Sequence, residues 1–440
     1  MGRGSVSKPL KVALLGAGVV GSQVARIILN EPDTLEQRIG RRLELVGIGV
    51  RNLDVPREGI DPALLTTDLD GLVSRGDLDV VVELIGGIEP AHALVQTAIE
   101  HGASVVTANK ALLADELGPL SRAAQEKGVD LYYEAAVAGA IPIIRPLRES
   151  LVGDEITEVM GIVNGTTNYI LDKMVTDHLS FDAALAEAQA LGYAEADPTA
   201  DVEGHDAAAK AAILAGLAFH TEVTRDEVFC EGITGITEAE IAAADQLGCT
   251  VKLLATAKLT SDAGSVIVKV HPAMVSRKHP LAAVSGARNA IFVNSREAGE
   301  LMFVGAGAGG APTASAVMGD VVTVARNRRR GTAGHVGAAY THRPVAPIGE
   351  STAQFYVSFE VVDRPGVLAR CAAVFGSHGV SLRVVQQSYL DDESSAEEHP
   401  ARLGIMTHAT QEARLSQVLS ELREADFVGS QVRMMRVEGF

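Results

Sequence analysis

The stretch Leu10-Lys-Val-Ala-Leu-Leu-Gly-Ala-Gly-Val-Val-Gly21 decides the architecture of this chain. Its first six residues form an apolar run of the length of a buried parallel strand, and Val19 to Leu29 reads as a helix, so the glycines occupy a strand-to-helix turn. In that setting Gly-x-Gly-x-x-Gly is informative. The first glycine makes the turn, the second lets backbone approach a pyrophosphate, and the third permits close helix packing. Gly16, Ala17, Gly18, Val19, Val20 and Gly21 are therefore candidate contacts to a dinucleotide, whose phosphates would face the positive end of the helix. Glycines also serve plain strand-to-helix turns; the position after one short strand is what favours the dinucleotide.

Working outward, Leu43 to Val50 and Leu78 to Ile85 are further apolar strands and Ser104-Val-Val-Thr-Ala108 a shorter one. Pro90 to Glu100 and Leu112 to Lys127 read as amphipathic helices. This alternation predicts an α/β class, a doubly wound parallel (Rossmann) sheet over residues 1–140. Its second strand ends Gly49-Val50-Arg51, where an NAD-selective domain carries an acid for the ribose hydroxyls. Arg51 would face a 2′-phosphate instead, which favours NADP(H). Asp54 nearby keeps NAD(H) open, and an arginine here also suits a solvated loop.

Beyond residue 140 the pattern changes to strands with polar outer faces, such as Glu155 to Val163, and long alanine-rich helices, predicting a mixed α+β domain over 141–330. Gly305-Ala-Gly-Ala-Gly-Gly310 leads into a helix from Pro312 to about Arg326, with proline at its first position, expected to return to the first domain. A linker rich in Gly, His, Thr and Pro spans 331–349. Residues 350–440 then read as a βαββαβ unit. The linker makes that unit an expected appendage to a body complete by Arg330.

Composition narrows the function classes. The chain has 440 residues, 47% hydrophobic and 21% charged, ordinary for globular domains, and a formal charge of −18 that argues against a nucleic-acid partner. Cys230, Cys249 and Cys371 are scattered without metal-ligand spacing, fitting a reducing cytoplasm rather than a disulfide framework or zinc site. No stretch approaches a membrane span.

The chemistry concentrates in Leu191-Gly-Tyr-Ala-Glu-Ala-Asp-Pro-Thr-Ala-Asp-Val-Glu-Gly-His-Asp-Ala-Ala-Ala-Lys210, where acids and one lysine precede an alanine-rich helix. Asp206 and Lys210 lie four apart and share a face. In an apolar setting desolvation pulls a lysine pKa toward working pH, which makes it an acid/base candidate; a surface ion pair is the plainer alternative. Thr107-Ala-Asn-Lys110, at the carboxyl end of a strand, and Asn164-Gly-Thr-Thr-Asn168, at a strand-to-helix turn, stand where ligands of open α/β sheets bind. Helix capping explains the second segment equally well, and a solvated first-turn lysine the first.

Together these segments, with Tyr133-Glu-Ala-Ala-Val-Ala-Gly-Ala-Ile-Pro142, Gly161-Ile-Val-Asn and Gly305-Ala-Gly-Ala-Gly, resemble homoserine dehydrogenase of the monofunctional bacterial type with a C-terminal ACT domain. The resemblance covers essentially the whole chain. It implies reversible NAD(P)-dependent interconversion of L-homoserine and L-aspartate 4-semialdehyde in threonine, methionine and isoleucine biosynthesis. By resemblance, Lys210 is the proton donor, Glu195, Asp201 and Asp206 hold the substrate ammonium and the lysine, Thr166 is a substrate contact, and Lys110 stands between cofactor and substrate. Gly192 and Gly309 would approach the nicotinamide half, and carbonyl oxygens of Glu134, Val137, Gly139 and Ile141 would hold a monovalent cation, Na+ or K+. In Asp363-Arg-Pro-Gly-Val-Leu368 the last unit resembles an ACT domain, which implies an amino-acid effector, L-threonine; a dimerisation module alone is the plainer alternative. A homodimer or homotetramer is implied too.

Other readings fit less well. Phosphoglycerate dehydrogenase shares the domain types but needs a His–Glu pair and an Arg in another order, and aspartate-semialdehyde dehydrogenase needs a nucleophilic cysteine that none of the three supplies. A catalytically inactive amino-acid sensor with the same folds is the remaining alternative; the presence of Lys110, Glu195, Asp206 and Lys210 argues against it.

Overall fold

The computed structural model describes residues 8–260, 262–334, 343–389, 400–429 and 431–439. The opening run is β1 (Leu10–Leu15), followed by α1 (Val19–Asn30), α2 (Pro32–Ile39), β2 (Leu43–Gly49), β3 (Leu65–Thr66) and α3 (Leu69–Val73). Then come β4 (Val80–Glu83), α4 (Ala91–Glu100), β5 (Ser104–Thr107), α5 (Lys110–Lys127) and β6 (Leu131–Tyr132). All six strands form one parallel sheet ordered β3-β2-β1-β4-β5-β6, with the order reversing between β1 and β4. That crevice is where a doubly wound sheet binds its ligand. β4 and β5 are buried along their whole length, which is why they read as continuous apolar runs. α5 starts two residues before the predicted Leu112, because Asn109 caps it.

The second region carries β7 (Ile156–Ile162), α6 (Gly165–Thr176), α7 (Phe181–Ala190), α8 (Thr199–Val202), α9 (His205–Phe219), β8 (Phe229–Cys230) and α10 (Glu238–Gln246). It continues with β9 (Cys249–Leu259), β10 (Val266–Ser276), β11 (Arg288–Ser295), β12 (Gly299–Ala306) and α11 (Gly310–Arg330). From Asp206 to Phe219 every residue of α9 is buried, and its small alanines let it lie closely on β9, β10 and α5. A polar outer face shows at β7, where Thr157 and Glu158 are half-buried, but not at β10. All of β10 is buried, because α9 covers one side of the sheet while Leu254, Ala273, Val275, Leu281 and Phe292 pack on the other. α11 begins before Pro312, with Gly309 at its cap, so the proline is the third helical residue; the helix packs along α1 in the core of the first sheet.

The last region holds β13 (Thr352–Val362), α12 (Val367–Ser377), β14 (Leu382–Tyr389), β15 (Pro400–Thr407), β16 (Thr410–Gln411), α13 (Glu412–Glu424) and β17 (Arg433–Glu438). Residues 335–342 of the expected linker lie outside the described residues. The last region is not joined to the rest by the linker alone. β17 pairs in parallel with β10, so that one sheet runs β12-β11-β7-β9-β10-β17-β13-β15-β14 through both regions. Main-chain hydrogen bonds between strands far apart in sequence leave no local pattern that could have announced this.

Candidate active site

Three glycines shape the turn after β1 as their roles demand. Gly16 has φ +97°, and a Cβ there would stand 2.8 Å from the Leu84 carbonyl oxygen, while one on Gly21 would collide with the Gly16 carbonyl. At Gly18 the corresponding space is open. Among the described residues no side chain caps the N-terminus of α1, so its first N–H groups remain available to an anion. The turn therefore fits a dinucleotide pyrophosphate. Arg51 is exposed just past β2, as is Asp54, whose backbone N–H goes to Asn52 Oδ1 (2.8 Å).

Facing this turn, the ends of β4 and β5 are tied together by a buried acid. Glu83 accepts from the Ile85 N–H (2.8 Å), the Gly86 N–H (3.1 Å) and the Thr107 hydroxyl (2.5 Å). Asn109 caps α5 through the Leu112 N–H (3.1 Å) and donates to the Gly87 carbonyl (2.6 Å). Lys110, the first residue of α5, is thereby aimed across the crevice, where its ammonium pairs with Asp206 Oδ1.

The opposite wall comes from α6 and α9. Lys210 is 8% exposed; its Nζ donates to Asp206 Oδ2 (2.6 Å) and to the Val163 carbonyl (2.7 Å) at the end of β7. Burial pushes its pKa down, Asp206 pulls it back up, and Lys110 adds to the lowering. Burial alone would raise the Asp206 pKa, but Lys210 and Lys110 on either side outweigh it and hold the carboxylate below its ordinary range. Asn164 both caps α6, through the Thr167 N–H (2.9 Å), and bridges two acids, Asp201 Oδ1 (2.7 Å) and Asp206 Oδ2 (2.9 Å). Capping and the bridging of two acids are thus one arrangement at this residue. The Thr166 hydroxyl donates to the Tyr193 carbonyl (2.6 Å), fixing the loop that contains Gly192.

A cavity of about 280 Å³ joins the two walls, lined by Val20 at the glycine turn, Lys110, Lys210, Gly139, Gly307 and Thr313 among others. The structure thus brings Lys110, Asp206, Lys210, Asp201 and Asn164 together beside the turn. Glu195 is exposed on the adjoining loop, and among the described residues no hydrogen bond or ion pair joins its carboxylate to the cluster; its carbonyl accepts from Gln189 (3.1 Å). Around the loop 134–141, Ala138 and Gly139 have φ +56° and +59°, and none of the hydrogen bonds of the described residues ends on the carbonyl oxygens of Val137, Gly139 or Ile141. Those oxygens suit a hard monovalent cation. The Glu134 carboxylate is engaged elsewhere, accepting from the N–H groups of Ile143, Ile144 and Arg145. Sequence reasoning missed Glu83 and Asn289. The latter is 1% exposed, packed against Gly307 and Gly165, with neither amide atom hydrogen-bonded among the described residues. Neither residue stands in a recognisable motif.

Known protein families match the chain in all three regions. Residues 16–134 match the homoserine dehydrogenase NAD-binding domain, 142–322 the homoserine dehydrogenase domain and 355–427 the ACT domain. Homoserine dehydrogenase from Mycobacterium tuberculosis is 52% identical over 435 residues, 98% of either chain. The crystal structure of a homoserine dehydrogenase from Thiobacillus denitrificans superposes with a TM-score of 0.91 at 37% identity, covering 98% of both chains. A hyperthermophilic archaeal homoserine dehydrogenase in complex with NADPH matches at TM-score 0.60 and 28% identity, covering 72% of this chain and 98% of its own.

Proposed function

The chain belongs to the homoserine dehydrogenase family, and from that premise we propose that Lys210 carries the proton in a reversible conversion of L-homoserine to L-aspartate 4-semialdehyde. The observation that carries this reading is the buried Lys210–Asp206–Lys110 cluster on the wall of a cavity reaching to the glycine turn. In the oxidising direction a neutral Lys210 takes the hydroxyl proton of the substrate; in the reducing direction its ammonium returns that proton to the aldehyde oxygen. Depression of its pKa by burial and by Lys110 makes the neutral form accessible, and the Val163 carbonyl with Asp206 fixes the direction of the Nζ. A nicotinamide cofactor, when bound, exchanges hydride with the substrate carbon. Asp201, Asp206 and Glu195 supply carboxylates for the substrate ammonium, and Thr166 orders the loop beside them.

Gly16 to Gly21 with the start of α1 would hold the pyrophosphate, Gly192 and Gly309 would flank the nicotinamide half, and Arg51 a 2′-phosphate, so NADP(H) is the preferred cofactor in this reading. The archaeal relative in complex with NADPH is consistent with that preference. A monovalent cation on the carbonyls of Glu134, Val137, Gly139 and Ile141 would brace the loop that packs against Gly307. In the last region, a cavity of about 460 Å³ lined by Asp363 to Leu368, Gln387 and Leu403 suits an amino-acid effector, L-threonine, acting on a homo-oligomer of the threonine, methionine and isoleucine pathway. No helix among the described residues is long and apolar enough to cross a membrane. The test is homoserine-dependent reduction of NADP+ and NAD+ followed at 340 nm, with and without threonine. Absence of turnover with both cofactors would favour the inactive sensor. Arg51→Ala should weaken NADP(H) by about 1–3 kcal/mol and leave NAD(H) unchanged, whereas equal losses would remove Arg51 from the 2′-phosphate site.

A further inference from the structure

The last strand of the chain carries one of the most deeply buried charges in the molecule. Arg436 on β17 is 2% exposed; its guanidinium forks onto Glu412 of α13 (Nε to Oε2 3.0 Å, Nη2 to Oε1) and reaches Glu231 Oε2 with Nη1 (2.9 Å). It also lies over the Phe229 ring, 4.8 Å from its centroid. Such a fork has one geometry, so it fixes its partners in register rather than merely attracting them.

Glu231 follows β8 and begins a strap that underlies the substrate acids. Its own N–H is anchored to the Val270 carbonyl of β10 (2.9 Å). Immediately along the strap, Cys230 Sγ donates to the Glu203 carbonyl (3.3 Å), the Ile233 N–H to the Val202 carbonyl (2.7 Å), and the Thr234 hydroxyl to Glu203 Oε1 (3.0 Å). Backbone lies on backbone here: a Cβ on Gly232 would collide with the Val202 carbonyl. Above the strap, α8 carries Asp201, and the turn through Gly204 launches α9 with Asp206 and Lys210. Asn164 then joins Asp201 to Asp206.

Resting on the proposed function, we propose that Arg436 is a positioning residue for substrate binding: clamping Glu231 against Glu412, it holds the 229–234 strap that sets the two aspartates, so the final strand tunes affinity for the amino-acid substrate. This is a continuous mechanical route from the C-terminal region to the site, made of named contacts.

Glu231→Ala in the full-length enzyme is the deciding variant, because Glu231 is 44% exposed at its side chain and Arg436 keeps Glu412. Homoserine KM should rise about fivefold to tenfold, with kcat and the cofactor KM within about twofold, and amide exchange over residues 199–206 should quicken. Glu231→Gln, which keeps an acceptor oxygen for Arg436, should restore most of the affinity. Arg436→Lys, which cannot fork, should resemble Glu231→Ala. A homoserine KM within twofold of the unsubstituted enzyme in Glu231→Ala overturns the proposal, as does an equal rise for homoserine and cofactor, or a rise with unchanged exchange over 199–206. The unsubstituted enzyme is assayed alongside; if it fails to oxidise homoserine, the proposed function itself falls and takes this inference with it.

Discussion

Lys210 and Lys252 are both buried lysines, 8% and 1% exposed, whose pKa values burial lowers, yet their surroundings differ in kind. Lys252, on β9, donates to the Val284 carbonyl (2.7 Å) and Asn168 Oδ1 (3.1 Å), with Asp172 at 4.0 Å, between α6 and the loop that follows Val284. Every direction its Nζ faces is protein. Lys210 has a carbonyl and a carboxylate on one side and the cavity on the other, and its carboxylate is shared with a second cation. Desolvation therefore prepares a lysine to give up its proton but does not give it anything to exchange with. Access to a cavity that also reaches the cofactor turn separates the two.

The sharpest test is deletion of each ammonium. Lys210→Ala should lower kcat by about 100-fold or more while cofactor binding, followed by fluorescence titration, persists. A near-normal kcat would remove Lys210 from proton transfer and leave the pair of lysines without a functional distinction. Asp206→Asn comes next: on the proposed role of Asp206 as a carboxylate for the substrate ammonium, kcat/KM for homoserine should fall by about tenfold. Its pH profile is more telling. Asp206 raises the pKa of Lys210, so its removal lowers that pKa further. In the proposed mechanism oxidation uses the neutral lysine, so the acid limb of the kcat profile should move to lower pH. A limb unmoved, or moved to higher pH, would assign it to another group.

How much of this was open to sequence reading differs between the two sheets. The first was legible, because a parallel strand buried on both faces is written as a continuous apolar run and a tight turn onto a helix needs glycine at fixed places. The second sheet was only partly so. Glu155 to Val163 and the strands of the βαββαβ unit could be read, but β9 to β12 were not singled out, the pairing of β10 with β17 depends on residues far apart, and Arg436 in Arg433-Met-Met-Arg436 looks like any charge near a chain end. In the site, Asp206 and Lys210 were readable from helical spacing, whereas Lys110 reaching Asp206 is a tertiary fact. Glu83 was hidden for a related reason: inside the predicted strand Leu78 to Ile85 it is a lone acid in an apolar run, and only the three groups it binds show why it is buried.

Lys252 should show the smallest effect on turnover and the clearest effect on stability. Lys252→Met keeps the apolar stem and removes the ammonium, so kcat should stay within about twofold. Burial holds the Lys252 pKa at about 8 in the folded chain against 10.5 for a free lysine. Below pH 8 both states carry the charge and the folded state bears the full cost of burying it; above 10.5 both are neutral and the cost is gone. Between these values the unfolded chain binds more protons, so stability rises with pH, by on the order of 3 kcal/mol across the window. The Tm of the unsubstituted protein should thus climb relative to that of Lys252→Met as pH goes from 8 to 10 in a thermal unfolding series. Parallel curves would mean that Lys252 stays charged throughout, carried by Asn168, Val284 and Asp172, and that burial alone had not prepared it to lose a proton.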